Sequence, residues 1–305
     1  VDLLLGCLLD RLLGDPEPHP VRGIGKAIAW LEPKLHPRGR SGGALLVLIV
    51  AGGTWAASWG AVVLASRAHP FLGVLASSVL VFYAVSLRTL DREVRAVAAA
   101  LASGDLPAAC RQGGRLVGRD TGALDQAGVA RAAVESAAES SVDGVTAPLF
   151  FAALGGGPLA MAYRAVNTLD SMVGHKDERY RDFGWASARL DDVLNWIPAR
   201  VSGALLVLSA SLVGEDAAGA WRVFRRDRKK HASPNAGHPE AAVAGALGLR
   251  LGGPSVYAGE TLEKPWIGGG EGSEEASAGH VLRALRLVHV ASVLALGACL
   301  AVTIC

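Results

Sequence analysis

Two runs without a formal charge set the main constraint on this chain: Ser41 to Ser66 and, after the single Arg67, Ala68 to Leu87. Each is long enough to cross a hydrocarbon core, which takes roughly 20 apolar residues in a helix. Inside a bilayer every backbone N–H and C=O must find its partner within the protein, which leaves helices and closed barrels. No strand alternation or tandem repeat is evident, so the expected form is helical. Composition agrees, with 51% hydrophobic and only 19% charged residues in 305, where soluble domains run nearer a quarter charged.

Three further stretches are candidate spans: Gly144 to Tyr163, Val201 to Gly214, and Leu287 to Cys305, the last interrupted by His289. This predicts four or five crossings. Val201 to Gly214 is too short to cross alone unless it takes in Asn195, Trp196 and Ile197, and otherwise reads as a buried or re-entrant helix. Val1 to Leu9 is brief and carries Asp2; no small-residue cleavage site follows it, so it reads as half of a membrane helix rather than a signal peptide. Cys7, Cys110, Cys299 and Cys305 lie far apart without C-x-x-C, which excludes a zinc knuckle and gives no disulfide framework.

Arg222, Arg225, Arg226, Arg228, Lys229 and Lys230 crowd together after the fourth apolar stretch. By the positive-inside rule this loop is cytoplasmic; a headgroup-facing surface and an anion-binding role both remain open for it. The expected architecture is an all-α, polytopic integral membrane bundle with cytoplasmic polar helices and loops, forming one membrane-embedded domain over residues 1–305. Within it, 88–143 is a polar insert, with helices at Asp91 to Leu101 and Ala123 to Ser141 and a break at Gly104 to Pro107. Residues 215–280 form a basic and glycine-rich loop region, in which Gly252 to Gly279 reads as a long flexible loop.

Five polar constellations interrupt the apolar background. In "DRLLGDPEPHPVRGIG" three prolines forbid a continuous helix and are expected to hold Asp10, Asp15, His19 and Arg22 in a rigid, turn-rich segment. In "RAAVESAAESSVDG", Glu135, Glu139 and Asp143 fall within roughly 80° on one helical face at about 100° per residue. That stripe is either a divalent-cation site or, with Arg131 one turn ahead, an intrahelical ion-pair ladder. In "YRAVNTLDSMVGHKDERYRDFGW", Arg164, Asn167 and Ser171 share a face with Asp170 beside it; lipid exposure would cost an Arg or Asp several kcal/mol, so the face is expected to look into the bundle. His175, Lys176, Arg179 and Tyr180 follow, with cations and donors suited to phosphates. "ARLDDVLNW" places Asp191, Asp192 and Asn195 on adjacent turns as oxygen ligands of the kind magnesium takes. "KKHASPNAGHPEAAVAGALGLRLGG" sets Ser233 and Asn235 about a proline turn, with Glu240 opening an Ala/Gly-rich helix whose free amides suit an anion. No segment has Walker spacing.

In that order these segments resemble the CobD/CbiB family of cobalamin-biosynthesis membrane proteins, the adenosylcobinamide-phosphate synthases. The matching pieces are "DRLLGDPEPHPVRGIG", "GRDT", "RAAVESAAESSVDGVTAPLF", "YRAVNTLDSMVGHKDERYRDFGWASARLDDVLNWIPAR" and "SPNAGHPEAAVAGALGLRLGG". Ser140 stands where the family usually has Asn, and His238 where an aromatic is common; neither change removes a carboxylate or a basic group.

The resemblance implies an ATP-dependent amide ligase that joins a propionate of adenosylcobyric acid to aminopropanol or its O-phosphate through an acyl phosphate, with ATP and Mg²⁺ as cofactors. On that reading Glu135, Glu139 and Asp143, or Asp191, Asp192 and Asn195, hold Mg²⁺. Arg164 and Lys176 act with His19 or His175 at the reacting groups. Arg22, Asn167, Asp170, Arg179, Tyr180, Arg189, Ser233, Asn235 and Glu240 bind nucleotide and phosphate. The implied setting is the cell membrane, with the site facing the cytoplasm, a corrinoid and an amino alcohol as substrates, and lipid around the bundle. A homo-oligomer or other membrane-bound cobalamin-assembly enzymes are the implied protein partners, and no nucleic acid is expected. Two other readings explain fewer of the segments: a prenyl- or phosphatidyltransferase using Asp-Asp-x-x-Asn for Mg²⁺, and a non-enzymatic signalling or transport protein.

Overall fold

The computed structural model describes residues 1–16, 19–117, 120–175, 177–257, 260–270 and 275–304. Its helices are α1 (Asp2–Leu13), α2 (Pro20–Leu35), α3 (Gly39–Ala68), α4 (Pro70–Ala84), α5 (Leu87–Ala102), α6 (Leu106–Leu116) and α7 (Gln126–Ser141). After a π-helical turn at Val142–Thr146 come α8 (Ala147–Val173), α9 (Trp185–Leu194), α10 (Trp196–Val213), α11 (Ala217–Asp227) and α12 (Gly237–Leu247). Four strands, β1 (Arg250–Gly252), β2 (Ser255–Tyr257), β3 (Glu260–Leu262) and β4 (Trp266–Gly268), precede α13 (Ala278–Ile304). Among the described residues, five helical segments are long and apolar enough to cross a membrane: Pro20–Ala68, Pro70–Ala102, Gln126–Val173, Trp196–Val213 and Ala278–Thr303. The fold is all-α and polytopic, as the sequence predicts.

The chain forms two compact units, each assembled from separated stretches. The first comprises 1–88, 143–195 and 296–305; the second comprises 89–142 and 196–295.

In the first unit α4 packs against α1, α3 and α8. Histidine starts two of its helices. The His19 ring accepts from the Val21 N–H at 3.2 Å and the His69 ring from Phe71 at 3.1 Å, each followed by a proline that needs no N–H partner. The proline-rich segment is shorter than predicted: Asp10 lies in the last turn of α1 and Arg22 in the first of α2, and Glu17 and Pro18 lie outside the described residues. Helix α8 bends at Gly155 and Gly156, the latter at φ 67°, ahead of Pro158. The Ser77 hydroxyl accepts the Gly157 N–H at 2.9 Å and donates to Asp2 at 2.6 Å, which satisfies a backbone group freed by the bend.

In the second unit α12 is the core helix, with every residue from Gly237 to Leu247 buried, against α7, α10 and α11. Gly219 and Gly245 let α11 and α12 approach backbone to backbone: a Cβ on Gly245 would lie 2.8 Å from Ala220 Cα. Aspartates cap α6, α7 and α11, accepting from Ala108, Gly128 and Gly219.

Two expectations change here. Helix α10 starts at Trp196, takes in Trp196 and Ile197 but not Asn195, which caps α9, and with 18 residues is long enough to cross. A crossing α10 would separate the side of residues 163–195 from that of the basic loop that follows it. The supposed flexible loop contains two antiparallel ladders, β1 with β4 and β2 with β3. Strands of three residues are too short to show alternation in sequence.

Candidate functional site

The stripe of Glu135, Glu139 and Asp143 does not survive folding. The π-helical turn adds a residue to the repeat just past Ser141, and Asp143 turns to partners of the first unit while Glu135 and Glu139 stay with the second. Two polar clusters result.

In the first unit, α8 presents Tyr163, Arg164, Asn167 and Asp170 on successive turns, and α9 presents Asp191 and Asn195 one turn apart. Asn195 is 2% exposed; its amide donates to Asp191 Oδ2 at 3.0 Å, and its carbonyl accepts from the Tyr163 hydroxyl at 2.9 Å. Asn167 hydrogen-bonds both Asp143 and Asp191, drawing the two carboxylates onto one amide. Arg164 donates to the Asp143 carbonyl at 3.2 Å and to the Ser86 hydroxyl at 3.1 Å, pinning the π-helical turn. Asp191 Oδ1 is buried with no hydrogen-bond partner. Burial, then the charges of Asp143 and Asp170, push the Asp191 carboxyl up to about 8. The Arg164 guanidinium offsets only part of the charge of Asp143, Asp170 and Asp191. All the donors are oxygens, and one is orphaned, so Asp143 and Asp191 with the Asn195 carbonyl fit a magnesium ion.

In the second unit, the Glu139 and Glu240 carboxyl groups are close neighbours. His231 Nε2 stands 3.9 Å from each. The coordinating atoms of Glu139, His231 and Glu240 lie within 4.8 Å of one another. Burial, then the Glu139 and Glu135 charges, holds Glu240 well above the usual carboxylate range, and burial lowers His231. Glu135 Oε1 accepts the Gly252 N–H at 2.7 Å, tying α7 to β1. A cavity of ≈ 200 Å³ opens here, lined by Glu135, Lys230, His231, Glu240 and Lys264 among others.

Of the remaining expected residues, Ser233 touches the second cluster through its N–H, which donates to His231 Nδ1 at 3.0 Å, and His19 lies within electrostatic range of Arg164. Asp192 faces Arg189 at 3.9 Å, so the two carboxylates of Asp-Asp-x-x-Asn do not point at one cation. Arg179 pairs with Glu32 at 2.7 Å, and the Tyr180 hydroxyl donates to the same carboxylate at 3.1 Å. His175 makes a ring contact with Tyr180, and Lys176 lies outside the described residues. His19 caps α2 and meets Tyr83 edge-on; burial lowers its pKa. Arg22 lies within electrostatic range of His19. The Ser233 hydroxyl accepts from the Asn235 and Ala236 N–H groups, and Asn235 is buried. Ser171 is exposed and bonds the Asn167 carbonyl rather than facing inward.

Tyr163, His231 and Lys264 were not singled out from sequence. Tyr163 was recoverable, standing one turn before Asn167 on the inward face. His231 and Lys264 reach the carboxylates only through tertiary packing, and no spacing announces them.

The family model described as CobD/Cbib protein matches residues 3–288. The chain belongs to the CobD/CbiB family. Cobalamin biosynthesis protein CobD of Geobacter metallireducens is 53% identical over 271 residues, covering 87% of this chain and 85% of that one. The Klebsiella pneumoniae protein of the same name is 50% identical, covering 95% and 92%. Cobalamin biosynthesis protein CbiB of Salmonella typhimurium is 46% identical with the same coverage. No solved structure matches the chain. Family membership extends over both clusters, since the matched residues contain Asp143, Asp191, Glu139 and Glu240.

Proposed function

We propose that this protein is an enzyme of cobalamin biosynthesis, an ATP-dependent ligase joining a propionate of (adenosyl)cobyric acid to aminopropanol or its O-phosphate. The pathway comes from the names of its relatives. The observation that carries the chemistry is the half-buried carboxylate cluster of the first unit, with its orphaned Asp191 oxygen. A carboxylate does not condense with an amine unaided at neutral pH. Transfer of the terminal phosphoryl group of ATP to the propionate oxygen gives an acyl phosphate and ADP; the amine, once deprotonated, forms the C–N bond as inorganic phosphate leaves.

Bound Mg²⁺ would offset the charge on the transferred phosphoryl group. Asp143 and Asp191 would supply its carboxylate ligands, and Asn167 and Asn195 fix their orientation by donating N–H groups. Arg164 keeps Asp143 in place through the main chain, a positioning role. Because ATP is cytoplasmic, this reading puts the site on the cytoplasmic side and requires that residues 163–195 and the basic loop after α10 not be separated by a crossing of the membrane. Asp192, turned toward Arg189, leaves the transferase alternative without its paired motif.

The test is turnover by the purified protein with cobyric acid, ATP, Mg²⁺ and aminopropanol O-phosphate. The expected result is ADP together with a corrinoid amide, reduced at least 100-fold in Asp191→Asn at an unchanged melting temperature. Absence of any ATP- and amine-dependent corrinoid product from wild-type protein would overturn the reading.

A further inference from the structure

In the second unit α10 and α11 form an antiparallel hairpin. Gly203, early in α10, meets Phe224, late in α11: a Cβ on Gly203 would lie 2.5 Å from the Phe224 ring. Arg200 and Arg228 accordingly come within electrostatic range of each other. Because α11 runs back beside α10, a crossing by α10 would carry Arg222 and Arg225 into the hydrocarbon with it. Both are exposed, and among the described residues neither has a carboxylate to pair with. Unpaired arginines facing lipid are costly, so the length and apolarity of α10 do not make it a crossing.

Its surface fits another place. Ile197, Val201, Leu208 and Leu212 are all exposed, and at spacings of four, seven and four they form one apolar stripe along the helix. The opposite face packs on α11 and α12. Trp196 and Trp221, about half exposed, each lie under an arginine: Arg200 is 4.0 Å from the Trp196 ring and Arg225 is 5.8 Å from the Trp221 ring. Indole rings with cations over them belong at the headgroup level of a bilayer.

The cations at that end are available. Asp227 engages Arg226 and Lys230, but Arg200, Arg228 and Lys229 stand in no ion pair among the described residues. All three are within electrostatic range of the buried His238 ring, which gathers them in one place. Arg200 gives Nη1 to the Trp196 carbonyl at 2.6 Å and Arg228 gives Nη1 to the Arg225 carbonyl at 2.8 Å. Each guanidinium is thereby fixed, with its other N–H groups left for an acceptor, and the fork they form matches phosphate oxygens.

We propose that α10 lies in the membrane interface rather than across the bilayer, with its apolar stripe among the acyl chains and with Arg200, Arg228 and Lys229 on the phosphate of an anionic phospholipid. Ile197 and Val201 flank Arg200 on the same helix, so one ligand meets both features only if it carries acyl chains as well as a phosphate. A helix with an apolar face, a basic end and tryptophans at the boundary is the form that rests on an anionic leaflet. This surface does not depend on the ligase reading. It does leave the chain before and after α10 on one side of the membrane, the condition which that reading sets.

Two measurements on the full chain test the proposal. In oriented membrane vesicles an impermeant thiol reagent is expected to label Arg181→Cys, ahead of α10, and Ala218→Cys, beyond it, from the same side, each in a cysteine-free background. Labelling from opposite sides, or of Ala218→Cys from neither, overturns the interfacial placement. In phosphatidylcholine nanodiscs, tryptophan fluorescence is then compared with equal shares of dibrominated phosphatidylglycerol or dibrominated phosphatidylcholine. The glycerol lipid is expected to quench at least twofold more. That excess disappears when Arg200→Gln and Arg228→Gln are combined, and when Trp196→Phe and Trp221→Phe are combined. Arg200→Lys keeps part of it, which separates lost charge from lost fold. Equal quenching by the two lipids, or an excess unchanged by the paired arginine substitutions, overturns the headgroup site. Inorganic phosphate is expected to leave the excess in place. Phosphate that removes it, where chloride of the same ionic strength does not, assigns the cations to a soluble anion and overturns the lipid.

Discussion

Asp227 shows how single residues convert a sequence-level charge cluster into structure. Its carboxylate is fully buried, yet Arg226 Nη2 at 2.7 Å, Lys230 at 2.8 Å and the Gly268 N–H at 2.8 Å surround it. Burial alone raises its pKa, but the hydrogen bonds from Arg226, Lys230 and Gly268 prevail and bring it down to about 2. A folded value below the ordinary carboxylate value means that stabilisation is present above pH ~4 and is lost as pH falls toward 2. In detergent melts, wild-type protein is expected to exceed Asp227→Asn at pH 7, with the gap closing between about pH 4 and 2. A gap independent of pH would show that the carboxylate charge is not what matters. Two of the six cations read from sequence as a topology signal thus have a local task. Tyr163→Phe leaves the buried Asn195 carbonyl without its donor and is expected to cost roughly 1–3 kcal/mol, read as a lowered melting temperature. Asn167, Asp191 and Asn195 were legible because helical spacing aligns them. The meeting of Glu139 with Glu240 and His231 was not, because it depends on how α12 and the turn before it fold against α7.

At the scale of elements, long helices were visible and their interruptions were not. The apolar runs announce α3, α4 and α13 directly. The bend in α8 needs Gly156 at positive φ, which sequence suggested only as one glycine among three in a row. Ser77→Ala removes both the acceptor for the Gly157 N–H and the donor to Asp2. It is expected to lower the melting temperature by a few degrees, in line with about 1–2 kcal/mol for a buried backbone group left unsatisfied. The α11–α12 contact is set by Gly219 and Gly245, and neither lies in a motif. Gly245→Val drives a side chain into the Gly219 carbonyl and is expected to destabilise by at least about 1–3 kcal/mol through overpacking, measurable by thermal melting. The β ladders escaped notice because their strands are shorter than one period of any usable pattern.

For the molecule as a whole, sequence order and structural units do not coincide. The chain passes from the first unit to the second and back, and α13 begins in one and ends in the other. A polar insert was evident from composition, but its union with residues 196–295 was not, since that association rests on α7 packing against α12 and β1. Hydrogen exchange on Gly245→Val tests whether the units are separate in stability: faster exchange is expected across α10 to α12, with α8 and α9 unchanged. Uniform acceleration through both would mean a single cooperative body.

The π-helical turn at Val142–Thr146 gives one residue an unusual leverage over this arrangement. Removing a single residue there would restore an unbroken α-helical repeat and rotate Asp143 by about 100° relative to α8. The aspartate would then rejoin the row begun by Glu135 and Glu139, and Asn167 would be left holding one carboxylate instead of two. Insertions and deletions are usually judged by whether a loop can absorb them. Here a one-residue deletion is expected to part Asp143 from Asn167 and Asp191 with no change to the amino acid itself.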